Sequence, residues 1–381
     1  MTQKKSFVEE EYGLTGMPFR TKIATHLELQ AWIDREEELK KWTKVLDDSV
    51  KTLNTNFMVF IIGDYGMGKT LSLLKVVEEA KGNELICPVY LNLLSEQRPK
   101  NPGLDFLQRI FRAIDFRVIK VKKDDVRFLQ KVFPEVAVLF ETILFGNDAT
   151  IKQLCIAFLK GEIKPTQTQL RTMKVLRKID DVEIAKEYLT GVLYLLRASK
   201  FSTLLLAIDE FEYLFSLVPK PSQSVYLALF RGLMDLHVQI PDELRGKVAN
   251  MALFIGLSED GLRRLDELEK VETSTGGPIR PLMRRVTDRV RLNPLNKRNS
   301  QALIEKRLSL NRTKERYEKD PLIPFTQDFV DYIFKLTGGR LADIIVRCDH
   351  VLDAGLERKV PRLNAEFAKE VFKEKGFVYE V

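Results

Sequence analysis

Short runs of apolar residues alternate along the chain with longer amphipathic segments, a pattern typical of a mixed α/β fold. The runs that have the length and composition of buried strands are residues 57–62, 84–94, 203–208 and 252–258. A shorter run around Val290 predicts a fifth strand. Because Pro88 cannot donate a ladder hydrogen bond, the second run is predicted to form an edge strand or to start late.

The amphipathic segments predict helices between and after these strands. Residues 33–53 carry apolar side chains at helical spacing behind an acidic start. Helical spacing also dominates residues 104–199, an insertion of roughly a hundred residues that we expect to stand beside the sheet as its own small bundle. Residues 273–278 are predicted as a flexible loop, and the sequence from Ser300 is helical again, with a break at Gly338 and Gly339.

The octapeptide after the first strand fits the phosphate-binding pattern G-x-x-x-x-G-K-[ST]: Gly63-Asp64-Tyr65-Gly66-Met67-Gly68-Lys69-Thr70. Glycines let backbone N–H groups close around a β-phosphate, Lys69 places a positive charge at the β/γ oxygens, and Thr70 offers a hydroxyl to Mg²⁺. Leu71 continues into a helix whose N-terminus faces the phosphates. A chance glycine turn would not have a strand before it and a helix after it. The motif therefore predicts nucleotide binding.

A second chemical signal stands at the end of the run 203–208, where Asp209 and Glu210 follow directly. Ligands of open α/β sheets collect at the carboxyl ends of strands. Asp209 would hold Mg²⁺ through water, and Glu210 would polarise the water that attacks the γ-phosphate. Acidic residues that simply end an exposed strand are the alternative. Together with Lys69 and Thr70, the two carboxylates predict one site for Mg²⁺ and ATP.

Composition and charge set wider limits. The 381 residues are 45% hydrophobic, which permits two or three globular units. Three cysteines lie far apart among apolar neighbours, so neither a disulfide framework nor a zinc cluster is expected; Cys348 is predicted to be a core residue. Neither a signal sequence nor an apolar run long enough for a membrane span is found, and a cytoplasmic location is expected.

Positive charge is concentrated in two places. The net charge is +7, and residues 280–317 hold twelve Lys or Arg against three Asp or Glu. Residues 112–131 hold seven against three. Such stretches form either a solvated face or a contact to nucleic acid. The first stretch is the candidate for DNA contact.

Taken together, the strand with its phosphate-binding loop, the acidic strand, a strand with a polar end, the arginines and the final helices resemble the AAA+ ATPases. The segment 33–39 is similar to the lead-in of origin-recognition initiators and transposition-regulator ATPases. Three segments are similar to ATP-binding proteins of BREX-type phage-defence systems: residues 63–70, 157–162 and 205–212. The resemblance implies a P-loop AAA+ core with a parallel sheet, a helical insertion between Walker A and Walker B, and a C-terminal helical lid.

The resemblance also implies roles for residues outside the two motifs. Ser258 would be the sensor-1 group, although a serine there also suits the cap of the next helix. Arg284 or Arg285 would be the arginine finger that reaches the nucleotide of a neighbouring subunit, with surface basicity as the alternative. Arg340 would be sensor 2 and contact the γ-phosphate, or else be an ordinary exposed arginine.

These expectations divide the chain into five segments: a lead-in with its helix (1–55), the first part of the core (56–103), the insertion (104–199), the second part of the core (200–298) and the lid (299–381). Two features depart from the resemblance. Asp64-Tyr65 stands where AAA+ loops commonly have a proline. Origin initiators also carry a DNA-reading winged-helix domain after the lid, which the sequence to Val381 does not show. Sequence-specific origin binding is therefore not expected.

Two functions remain open at this stage. The first is an ATP-hydrolysing switch that forms a homo-oligomer and acts on or near DNA. The second is a signalling or scaffold ATPase that docks a protein partner through its helical insertion. The family resemblance implies that the bound nucleotide carries adenine and not guanine.

Overall fold

The computed structural model of the chain describes residues 7–20, 29–94, 101–213, 220–272, 279–312 and 320–377. The predicted loop 273–278 lies outside these residues, as do residues 313–317 of the basic stretch. The chain forms two compact units. The first comprises Met1–Leu39, Gly63–Ser72 and Arg291–Val381, and the second Lys40–Ile62 and Leu73–Val290.

A five-stranded sheet confirms the strand predictions. Its strands are β1 (Phe57–Ile62), β2 (Ile86–Asn92), β3 (Thr203–Asp209), β4 (Asn250–Leu257) and β5 (Asp288–Arg291). They stand in the order β2-β3-β4-β1-β5. The pairs β1–β4, β2–β3 and β3–β4 are parallel, and β2, which contains Pro88, lies at an edge as predicted.

The register of these pairs brings several strand ends to one edge of the sheet. Ile62 is opposite Leu257, Ile208 is opposite Ile255, and Asn92 is opposite Asp209. The carboxyl ends of β1, β2, β3 and β4 therefore lie along the same edge. Asp209 is the last residue of β3, and the phosphate-binding sequence begins at the residue after β1. In parallel sheets this is the edge at which ligands bind.

Sixteen α-helices occur among the described residues. They are α1 (Glu36–Lys51), α2 (Lys69–Lys81), α3 (Pro102–Ala113), α4 (Lys123–Gln130), α5 (Pro134–Phe145), α6 (Ala149–Leu159), α7 (Gln167–Met173), α8 (Val182–Ser199), α9 (Lys220–Met234), α10 (Leu236–Gln239), α11 (Glu259–Glu272), α12 (Ile279–Met283), α13 (Lys297–Ser309), α14 (Gln327–Thr337), α15 (Leu341–Arg358) and α16 (Ala365–Glu374). Side-chain caps explain several of the starts. Asn101, Asp148 and Asp181 each accept a backbone N–H of the helix that follows.

In the second unit the sheet and the predicted insertion share one hydrophobic core. Phe106 of α3 packs on Phe230 of α9 with ring centroids 4.8 Å apart, and Phe211, just after β3, packs on the same ring at 5.1 Å. The insertion is helical as predicted. Helices α3 and α8 pack against β2 and β3, whereas α4 to α7 pack on one another and on α8. The separate bundle stays a prediction.

The first unit has a separate core built from helices α13 to α16 and the segment near the N-terminus. Tyr12 is fully buried there and donates its hydroxyl to the Val360 carbonyl. Phe19 packs edge-on against Phe325 at 5.8 Å. Cys348 is fully buried, which confirms its prediction as a core residue. The five segment boundaries given above remain predictions.

The break between α14 and α15 depends on two glycines with unequal surroundings. Gly338 has φ of 58°, and a Cβ there would meet nothing within 4 Å. Gly339 has φ of 81°, and a Cβ there would lie 1.9 Å from the Leu295 carbonyl oxygen. Leu295 N also donates to Gly339 O at 2.9 Å, so the two backbones are held together.

We therefore predict that Gly339→Ala destabilises the protein by about 3 kcal/mol or more, because neither backbone can move away. The matched change Gly338→Ala should cost about 1 kcal/mol, the price of a left-handed residue that has a side chain. Urea denaturation followed by circular dichroism measures both changes. Equal losses for the two variants would contradict the predicted difference.

Candidate functional site

The phosphate-binding sequence forms a loop whose backbone requires glycine. Gly66 and Gly68 have φ of 81° and 91°, in the left-handed region that side chains disfavour. A Cβ on Gly63 would lie 3.2 Å from both Met67 Cβ and Leu292 Cβ, so this position is also closely packed. The three glycines of the motif are thus explained by backbone conformation and packing within the first unit.

The loop leads directly into α2. Gly68 O accepts from Ser72 N at 2.8 Å, so the helical hydrogen bonding starts at the last glycine of the motif. Lys69 Nζ donates to Gly63 O at 2.9 Å and lies 3.5 Å from Asp64 O, which places the ammonium group over the loop carbonyls. The positive end of a helix dipole and a lysine ammonium both favour an anion. The donor set fits a phosphate chain.

The tip of the loop is open to solvent. Tyr65 is 94% exposed and Asp64 is exposed as well, whereas Met67 is buried. Thr70 and Leu71 lie in the first turn of α2 and are partly buried. The residues predicted to bind the nucleotide here thus comprise the loop 63–68 and the first three residues of α2.

The same unit connects this loop to the start of α15. Ala342 N donates to Gly66 O at 3.0 Å, and a Cβ on Gly66 would lie 3.0 Å from Ala342 Cβ. Arg340 is the N-cap residue of α15, two positions earlier, and its side chain is exposed. The structure thus brings the predicted sensor-2 position to within two residues of a hydrogen bond to the phosphate-binding loop.

The second unit contains the two predicted carboxylates at the end of β3. Asp209 is 2% exposed, and its two oxygens accept different donors. The Tyr90 hydroxyl donates to Oδ2 at 2.8 Å, and Glu210 N donates to Oδ1 at 2.9 Å. Gly256 on β4 leaves the space for this carboxylate, because a Cβ there would lie 3.2 Å from Asp209 Oδ1. The Asp209 side chain is therefore held in one orientation.

Glu210 has an unusual backbone. Its φ of 57° lies in the left-handed region, which costs a residue with a side chain on the order of 1 kcal/mol or more. Tyr213 N donates to Glu210 O at 3.0 Å, so the turn after β3 is closed by a hydrogen bond. The strained residue is the one predicted to polarise water. Residues held in such conformations are frequent at functional sites.

Ser258 follows β4, the strand next to β3. Its Oγ accepts from Gly261 N at 3.0 Å, and its carbonyl accepts from Leu262 N at 2.9 Å, so it caps α11. This is the geometry of the capping alternative. The hydroxyl retains its proton as a donor, and the sensor-1 role stays a prediction.

The two candidate finger residues differ in their surroundings. Arg285 Nε donates to Asp235 Oδ1, and its Nη1 donates to Pro281 O at 2.9 Å. Arg284 is exposed, and within the described residues its side chain makes no hydrogen bond or ion pair. Arg285 is therefore committed within its own chain, and Arg284 is the one available to another molecule.

Several residues around these positions were not foreseen from the sequence. They are Tyr90, Gly256 and Ala342. Only Tyr90 had a visible signal, a hydroxyl-bearing residue within a strand, but its partner depends on strand order.

Within the described ranges, no group of three or more His, Cys, Asp or Glu residues could hold a metal ion. Proteins usually bind Mg²⁺ through one or two side chains together with substrate phosphates and water. Thr70 in the first unit and Asp209 in the second stay the predicted ligands.

No helix within the described residues is both long enough and apolar enough to cross a membrane.

Comparisons with known proteins agree with this arrangement. A family model described as BREX system ATP-binding protein BrxC/D matches residues 133–342, more than half of the chain. A search of curated proteins found no match.

Solved structures show the fold. The chain is similar to the ORC2 protein of Aeropyrum pernix in ADPNP-ADP complexes, with 15% sequence identity and a TM-score of 0.50, over 97% of this chain and 74% of that chain. It is also similar to Drosophila ORC bound to DNA, with 13% identity and a TM-score of 0.48, over 98% of this chain and 67% of that one. The second score is too low to support an inference.

Proposed function

The chain belongs to the BREX system ATP-binding protein BrxC/D family, and on this premise we propose that it hydrolyses Mg-ATP to drive a conformational or assembly switch. Its ATP-binding AAA+ fold is the one shared with ORC proteins. In this proposal Lys69 and Thr70 bind the phosphates and the metal, Asp209 holds the metal through water, and Glu210 polarises the attacking water.

The observation that carries the proposal is the loop 63–70. Its left-handed glycines, the lysine over the loop carbonyls and the start of α2 together provide a site for a phosphate chain. The edge of the sheet gives further support, because β1 ends at the same edge as β3, where Asp209 and Glu210 follow. Adenine is supported by the related ORC2 structure, which was solved with ADPNP and ADP.

Each residue has a separate task. Mg²⁺ bound with the nucleotide would neutralise charge on the β- and γ-phosphates. The Lys69 ammonium would leave the carbonyl of Gly63 for phosphate oxygens. Arg340, on the α15 end that is hydrogen-bonded to the loop, would reach the γ-phosphate, and Arg284 would reach the nucleotide of the next subunit in a homo-oligomer.

The direct test is ATP binding by the variant Lys69→Ala. Calorimetric titration with Mg-ATP should show binding to the wild type and about a 100-fold loss for the variant, because a charge-assisted contact contributes roughly 1.5–3 kcal/mol. Lys81→Ala is the matched control, since Lys81 lies at the far end of the same helix and pairs with Glu78 at 3.0 Å. The control should bind like the wild type. A wild type that releases no heat on titration with Mg-ATP would refute nucleotide binding altogether.

We further propose that the switch acts on or near DNA. The support is the exposed side chains of Arg280, Arg284 and Arg289 in the second unit and of Arg291 and Arg298 in the first. Lys297 is also exposed but pairs with Asp331. Binding to the DNA backbone weakens steeply with salt, because bound counterions are released, while an apolar protein interface changes little. Fluorescence anisotropy with a labelled duplex should therefore show binding at low salt that is lost as salt rises. No binding at low salt would instead favour a protein partner, docked through the helical insertion.

A further inference from the structure

A phenol and a carboxylate meet at the edge strand β2. Tyr90 lies opposite Ala207 in the β2–β3 register, and its hydroxyl reaches Asp209, two residues further along β3. Asp209 is almost fully buried, and Tyr90 is half-buried. Gly256 on the other neighbouring strand leaves room for the carboxylate from the opposite side.

Two donors orient the Asp209 carboxylate. Oδ2 accepts from the Tyr90 hydroxyl and Oδ1 from Glu210 N. Because each bond goes to a different oxygen, the two together fix the plane of the carboxylate.

We infer that Tyr90 is a positioning residue for the metal-binding carboxylate, which it orients through the hydrogen bond to Asp209 Oδ2. The inference rests on the proposed function, because it takes Asp209 as the group that holds Mg²⁺ through water. Residues that orient a metal ligand in this way commonly change metal affinity by 10- to 100-fold when they are replaced.

The direction of the hydrogen bond fits this role. The Tyr90 hydroxyl donates to Asp209 Oδ2 at 2.8 Å and so supports the carboxylate. A metal bound through water does not need the phenolate, so Tyr90 supports Asp209 without competing for the ion.

The removal of one hydroxyl tests the inference. In Tyr90→Phe, Asp209 loses the Tyr90 donor at Oδ2 and is held less firmly, so more Mg²⁺ is needed to strengthen ATP binding. We expect about a 10-fold rise in the Mg²⁺ concentration at half-maximal enhancement of binding, measured with a fluorescent ATP analogue. Affinity for the analogue in EDTA should stay unchanged, since the phosphate-binding loop is intact.

Tyr188→Phe is the matched control. The Tyr188 side chain is buried in the core of the second unit, and its hydroxyl has no hydrogen-bond partner within the described residues. The same chemical change there should leave the Mg²⁺ dependence as in the wild type. If the hydrogen bond from Tyr90 were purely structural, Tyr90→Phe would lower the melting temperature and leave the Mg²⁺ dependence unaltered. That result would overturn the inference.

A double-mutant cycle guards against indirect effects. If Tyr90 acts through Asp209, the shift caused by Tyr90→Phe should vanish in an Asp209→Asn background. A shift that persists there would also overturn the inference. Failure of the proposed function is recognised separately, because the wild type itself would then bind the nucleotide equally well with and without Mg²⁺.

Discussion

We expect Glu210→Gln to lower ATP turnover at least about 100-fold and to leave Mg-ATP binding intact. A positioned general base contributes roughly 10²- to 10⁴-fold, and the amide keeps the size of the side chain but cannot polarise water. Steady-state phosphate release measures turnover, and calorimetry measures binding. Glu212→Gln, the same change two residues further along the chain, is the control and should retain turnover. A Glu210→Gln protein that hydrolyses ATP like the wild type would refute the role of Glu210.

The left-handed backbone at Glu210 gives this position a second, independent readout. Glycine adopts φ of 57° without penalty, whereas glutamate and glutamine do not. Glu210→Gly should therefore be as stable as the wild type, or more stable by up to about 1 kcal/mol, although it also loses turnover. A variant that is more stable but inactive would show that the glutamate is kept at this strained position for its carboxylate, at a cost in stability. Marked destabilisation by glycine would instead mean that the side chain supports the fold.

Local patterns in the sequence predicted the strands and both motifs. Buried parallel strands are continuous aliphatic runs, so β1, β3 and β4 were visible without knowledge of their neighbours. Pro88 restricted β2 to an edge or a late start, and the structure places β2 at an edge. The glycines of the loop were recognisable because few other residues adopt the backbone that they require.

Features that depend on contacts between distant residues were not predicted. Tyr90 and Asp209 are 119 positions apart, and only the strand order brings them together. The hydrogen bond from Ala342 to Gly66 is longer in range still. Amphipathic spacing showed that the insertion helices bury one face, but it does not specify the surface that covers the face. Only the structure shows that α3 and α8 face the strands while α4 to α7 pack on one another.

The sequence also left two arginines open as the finger, and the structure separates them by their contacts. Arg285 is paired with Asp235, while Arg284 is exposed. We predict that Arg284→Ala lowers turnover of the assembled protein about 1000-fold with unchanged nucleotide affinity, because an arginine supplied to a phosphoryl-transfer site contributes 10³- to 10⁵-fold. Arg285→Ala is the matched control and should cost less than about 1 kcal/mol of stability, since its ion pair is partly exposed.

Mixed subunits test whether Arg284 acts on a neighbour's nucleotide. Subunits with Arg284→Ala keep their own Glu210, and subunits with Glu210→Gln keep their own Arg284. Each variant by itself should have strongly reduced turnover. In a mixed oligomer, however, an intact arginine can meet an intact glutamate across a subunit boundary. Turnover should therefore reappear on mixing and rise with protein concentration. No recovery on mixing would place the arginine at the nucleotide of its own subunit, and loss of turnover in Arg285→Ala instead of Arg284→Ala would reverse the assignment.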